Sequence, residues 1–129
     1  MHIATQQFAD TLVVTPSGRI DHRSAAELEA ALAPLLADTA ARHGALVLDF
    51  SGVDYISSVG LRVLMLAARQ MRAAQARLAV AALQSVVAEI FGISRFDKVL
   101  EVHATVEQAL APSDAALAAY RAAGGTPPT

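Results

Sequence analysis

Two adjacent serines, Ser57 and Ser58, are the residues of this chain best suited to chemistry. They follow an apolar Tyr55-Ile56 and open a stretch of helical composition that runs to about Gln75. A serine at a helix start is ordinarily an N-cap, its oxygen accepting a backbone N–H. The same position suits a second use, as a solvent-facing hydroxyl that accepts a phosphoryl group. Phosphorylation adds roughly −1.5 to −2 charge units. The free N–H groups and the macrodipole of a helix N-terminus tolerate that charge. The fold would survive the modification, while a partner surface matched to a neutral hydroxyl would be repelled.

On a helical wheel at about 100° per residue, Ser58, Arg62, Met65, Arg69 and Arg72 gather on one side. Val63, Leu64, Ala67, Met71 and Ala74 gather opposite and are expected to face a sheet. Arg62, one turn on, is in reach of a phosphate on Ser58. For the arginines alone, the plain reading is a solvated helix face. Met65 is less expected there, because an apolar side chain on a charged face suggests a covered contact. Asp21-His22 together with Ser58 raises the thought of a hydrolytic triad. However, nothing in the chain reads Gly-x-Ser-x-Gly, and adjacency of Asp21 to His22 does not orient an imidazole on a distant serine. No phosphate-cradling glycine-rich loop is present either. The chain is expected not to be an enzyme.

Composition narrows the remaining classes. The net charge of −2 over 129 residues supplies no basic field for nucleic acid. There is no cysteine, which removes disulfides, thiolate metal sites and thiol nucleophiles. His2, His22, His43 and His103 never fall at metal-ligand spacing, so neither a metal nor another cofactor is expected. The N-terminal residues lack the basic and apolar regions of a signal peptide. Arg or Asp breaks the apolar stretches well short of the ~18 residues needed to span a bilayer. A cytoplasmic protein without a membrane partner is expected. Aromatic content is only 5% against 54% hydrophobic residues, so the core must be aliphatic.

The elements that position the serines alternate between strand and helix. Residues 3 to 8 and 11 to 16 read as strands joined by an Ala9-Asp10 turn, with Pro16-Ser17-Gly18 ending the second. Ser24 with Glu27 three residues on reads as a capping box, opening a helix that carries Leu28, Leu32 and Leu35 on one face and closes at Gly44. Ala45 to Phe50 is a nearly unbroken apolar run, the pattern of a strand covered on both faces. Val53 to Ile56 leads into the serines. Arg77 to Ala81 reads as a strand, Ser85 to Phe91 as a helix ended by Gly92, and Val99 to Val102 as an edge strand. Thr105 caps a helix to Leu110, and Pro112 interrupts it. The order indicates one α/β domain whose sheet is covered by helices. It is expected to span residues 1–111, with 112–129 an extension: an Ala-rich helical stretch from Ser113-Asp114 to Ala123, then a disordered Gly/Pro tail from Gly124.

The segment from Leu46 through Asp49-Phe50-Ser51-Gly52 to Ser57-Ser58-Val59-Gly60-Leu61 resembles the signature of STAS domains, and in particular of bacterial anti-sigma factor antagonists. In that family an apolar strand ends in Asp, and a short loop leads to Asp-Ser-Ser/Ala-Gly-Leu at a helix start. Gly18-Arg19-Ile20-Asp21, Val86 to Phe96 and Thr105 to Leu110 are similar to the family's other elements, and the likeness covers roughly residues 3 to 110. It implies a central mixed sheet of about four to five strands covered by about four helices. It further implies partner switching. The unphosphorylated protein binds an anti-sigma serine kinase, phosphorylation at Ser58 releases it, and a serine phosphatase resets it. Asp21, His22, Ser57, Arg62, Met65 and Arg69 would then face the partner. Here Ser57 stands where the family usually has Asp, which makes Ser57 a rival acceptor, and Val59 replaces Ser or Ala. STAS domains also serve as non-switching subunits of transporters and stress-signalling complexes, the second reading. The Ala-rich surface fits a monomer or a weak dimer.

Overall fold

The computed structural model describes residues 1–125. β1 (His2–Phe8) and β2 (Thr11–Ile20) form an antiparallel hairpin whose register runs from His2 opposite Ser17 to Phe8 opposite Thr11. β2 is longer than expected. It continues past Pro16 because its parallel partner changes there: Thr11 to Val14 pair with β3 (Ala45–Asp49), and Ser17 to Ile20 pair with β4 (Gly52–Ile56). Pro16, which has no N–H to donate, falls between the two partners. Gly18 sits at φ +105°, open to glycine, and the register against β4 shifts by one residue beside it. That bulge aims Arg19, Ile20 and Asp21 at the end of β4.

β5 (Arg77–Ala81) pairs in parallel with β3, and β6 (Glu101–His103) pairs with β5. The strand order is β1-β2-β3-β5-β6, with β4 on the outer part of β2. The α/β class and mixed sheet are as expected, with six strands among the described residues. β3 is covered on both faces, as its unbroken apolar run requires: Leu46 and Leu48 enter one core, Val47 the other.

One face carries α1 (His22–Ala41), α2 (Ser58–Ala73) and α3 (Ser85–Ile93), packed through Leu28, Leu32, Leu64, Met71, Val87 and Phe91 onto the sheet. The buried stripe of α1 is Leu28, Leu32 and Leu36, with Leu35 only half-buried. α3 runs past Gly92 to Ile93, and the chain reverses at Arg95, φ +58°, into a 3-10 turn at Phe96–Lys98. The opposite face is covered by α4 (Val106–Leu110) and α5 (Asp114–Ala122), capped by Thr105 and Ser113 as expected. α5 docks: Ala116 and Tyr120 are buried, and the Tyr120 ring meets Phe8 edge-on at 5.3 Å. Of the expected disordered tail, residues 126–129 lie outside the described residues. Gly124 and Gly125 close α5 through N–H bonds to the carbonyls of Arg121 and Tyr120. No helix among the described residues is long and apolar enough to cross a membrane.

Candidate functional site

β2 and β4 end together, Ile20 opposite Ile56, and each hands directly to a helix. The Ser57 N–H donates to the Ile20 carbonyl at 2.8 Å, so the last sheet bond holds the two helix starts side by side. Asp21 caps α1. Its Oδ1 accepts from the N–H of Arg23 at 3.1 Å and of Ser24 at 3.0 Å, while the Asp21 N–H donates to Ser24 Oγ at 2.8 Å. This replaces the expected Ser24/Glu27 box. A carboxylate on the residue after the strand takes the capping position, and Ser24 becomes the reciprocal partner three residues later. The Ser24 backbone N–H, then its hydroxyl, hold the Asp21 carboxyl below its ordinary value of 3.8, with burial opposing and the Arg23 N–H and Arg19 charge assisting. A fixed negative charge therefore stands at this end of the domain.

Ser57 caps α2, its Oγ accepting from the Gly60 N–H at 3.2 Å. Ser58 is the first helical residue and is exposed, whereas Ser57 is half-buried. The two roles that sequence left to one serine are split between neighbours. Gly60 has a separate necessity: a Cβ there would lie 2.7 Å from both Ile20 Cγ2 and Ile56 Cγ1. Only a residue without a side chain lets the first turn of α2 settle on the strand ends.

Asp21, His22, Ser57 and Ser58 thus cluster at one end of the sheet, with His22 exposed as the first residue of α1. Arg62 is exposed one turn along α2. Arg69 is also exposed, but at ~1.5 Å of rise per residue it lies about 16 Å down the helix from Ser58. Met65 is not the exposed residue expected. It is half-buried and packs against the main core, while further along the same face Arg72 donates to the Val99 carbonyl at 3.3 Å. The apolar side chain that α2 does expose is Leu66, beside a shallow groove formed with Leu32, Ala33 and Leu36 of α1. Sequence reasoning also passed over Arg19, whose guanidinium lies 3.9 Å above the Tyr55 ring at the rim of the cluster. Both residues stood in the quoted motifs, but their contact exists only through the β2–β4 register. A triad is not assembled: the Asp21 Oδ1 bonds recorded go to backbone N–H groups and to Ser24 Oγ.

A strand passing directly into a helix through a capping serine, with an exposed serine beside it, is placed in a family by comparison with known proteins. The STAS-domain model matches residues 2–109. The chain belongs to the STAS-domain family. This STAS domain is 36% identical over 117 residues to BtrV of Bordetella bronchiseptica, whose name assigns it to the anti-sigma factor antagonists; the match covers 91% of this chain and 98% of BtrV. Among solved structures it is similar to an anti-sigma factor antagonist from Mycobacterium paratuberculosis, with a TM-score of 0.76, 27% identity and coverage of 86% of this chain and 92% of that one. It shares its fold with the Bacillus cell-fate determinant SpoIIAA in the phosphorylated form, at a TM-score of 0.62 and 16% identity over 86% of this chain and 98% of that one. The STAS domain described here is accordingly of the anti-sigma factor antagonist type.

Proposed function

We propose that this STAS domain is a cytoplasmic, non-enzymatic antagonist that binds an anti-sigma serine kinase through the end of the molecule bearing Ser58, and that phosphorylation of Ser58 ends the complex. The observation that carries the proposal is the division of labour between the serines. Ser57 supplies the helix cap, so the exposed hydroxyl of Ser58 has no structural duty that modification would break. In the transfer, Ser58 Oγ attacks the γ-phosphorus of ATP, ADP leaves, and the hydroxyl proton is given up to the kinase or solvent. The phosphoester then sits at the positive end of the sixteen-residue α2, with Arg62 one turn on to pair with it. Asp21, held ionised close by, makes the same surface strongly anionic after transfer and unfavourable to a partner matched to the neutral form. Asp21, His22, Ser57, Arg62 and Arg69 are the proposed partner-facing polar residues. Met65 contributes from its half-buried position, and a serine phosphatase resets the switch.

The test is affinity capture from a lysate of the source organism, using wild-type, Ser58→Ala and Ser58→Glu baits, followed by phosphosite mapping of the wild-type protein. A kinase retained by Ser58→Ala, lost by Ser58→Glu and able to place phosphate on Ser58 is the expected result. Phosphate on Ser57 instead would move the acceptor by one residue. Equal capture by all three baits without phosphate on either serine would reverse the proposal in favour of a non-switching subunit.

A further inference from the structure

Helix α3 is apolar on more than the face it buries. Val87 and Phe91 point into the core, yet Val86 is 50% and Ile93 78% exposed, with Ile90 half-buried between them. Spacing of four and then three residues puts Val86, Ile90 and Ile93 in one row. Val99, 42% exposed, follows on the segment that packs beside α3. Three of the five exposed large hydrophobic residues among the described residues thus fall between residues 86 and 99. Scattered single apolar residues need no explanation, but a contiguous row does.

We propose that this row is the contact of a reversible homodimer, with α3 packed antiparallel on α3 of a second copy about a two-fold axis near Ile90. The proposal is independent of the phosphorylation reading. Charge selects the occupant. Glu89 borders the row at mid-helix and Arg95 stands just past its C-terminal end, both exposed and, among the described residues, like several other surface charges, in no ion pair. In an antiparallel pair centred on Ile90, Glu89 of one copy faces Phe91 of the other and lies about one turn, ~6 Å along the axis, from Arg95 of the other copy. The match occurs twice by symmetry. Such self-complementarity is what an isologous contact requires of a single patch. A nine-residue helix buries less than the ~1,200 Å² of standard interfaces, so the dimer belongs to the weak, concentration-dependent class.

Sedimentation velocity of the full chain from about 10 μM to about 1 mM tests this, a range matched to weak association constants. The expected result is a mass rising from monomer toward dimer for wild type, and staying monomeric for Ile93→Asp with an unchanged melting temperature. Glu89→Arg and Arg95→Glu should each weaken association at least about fivefold, and the double charge swap should restore it. A wild-type mass constant across the range overturns the proposal, as does failure of the double swap to restore association. A sharp fall in the melting temperature of Ile93→Asp also overturns it, by showing the side chain to be packed within the domain. Loss of kinase capture by Ile93→Asp with the wild type strictly monomeric would assign the row to a different protein.

Discussion

Ser57 and Ser58 are chemically identical, and their backbones separate them. Ser57→Ala removes an N-cap acceptor from Gly60, a loss worth about 1 kcal/mol. Ser58→Ala removes an exposed hydroxyl with no cap to lose, and such surface changes stay within about ±0.5 kcal/mol. Urea denaturation of the two variants should therefore show a lowered midpoint for the first and a near wild-type midpoint for the second. The reverse order would mean that Ser58 is the cap and that the proposed acceptor is Ser57. The pair itself was legible from residue types, and its assignment was not. Helix boundaries shift by a residue or two in any local reading; here the Gly60 N–H bond to Ser57 Oγ makes the assignment, with Ser57 held at the strand end by its own N–H bond to the Ile20 carbonyl, far away in the chain.

At the scale of elements, α5 shows what composition alone leaves open. Ser113-Asp114 marked a helix start, and Ser113 Oγ does accept from the Ala116 N–H at 3.2 Å. Whether an Ala-rich helix docks depends on what it meets. Tyr120 supplies the large side chain, buried against Phe8 at the end of β1. Replacing Tyr120 by alanine is expected to cost about 3 kcal/mol, typical of a buried aromatic, read as a lower thermal midpoint with a single transition. A variant as stable as wild type would mean that α5 is an appendage. Met65 teaches the same lesson in the other direction. The wheel placed the buried stripe of α2 correctly, but Met65, expected exposed, is half-buried against the core, and Leu66 is the exposed apolar residue.

For the whole molecule, acid is the condition that should loosen the fold. Burial raises the carboxyl of Glu101, but hydrogen bonds from Arg77 and His103 and their charges together lower it below its ordinary 4.5. Asp21 is lowered as well, first by the Ser24 N–H. A carboxylate whose folded pKa lies below its unfolded value contributes stability in full above the unfolded value, and that contribution disappears as pH falls through the folded one. Tyr120 behaves oppositely: burial, then the charges of Asp49 and Glu107, raise it above 10.0, so its contribution is present below that value and is lost as pH rises through the folded pKa. Stability should hold through neutral pH and decline below the ordinary carboxylate range. Glu101→Gln should be less stable than wild type at neutral pH, with the gap closing as pH is lowered toward 3, roughly a unit or more under the usual Glu range. Parallel urea-midpoint curves for the two proteins would remove Glu101 from the account.

Sequence by itself was sufficient for the order of elements apart from β4, which it left unassigned, and for the doubly covered β3, the caps at Thr105 and Ser113, and the serine pair opening α2. Each of these is written in the periodicity or capping chemistry of a few neighbouring residues. Tertiary structure alone decided that β2 runs on past Pro16, that Asp21 rather than Ser24 caps α1, that Ser57 rather than Ser58 caps α2, and that Gly60 must lack a side chain. The long β2 and the bare Gly60 follow from where β2 and β4 end relative to each other, and the two caps, though made by bonds within three residues, begin where those strand ends release the chain. That relation is fixed by hydrogen bonds and packing between residues distant in the chain, and local pattern carries no record of it.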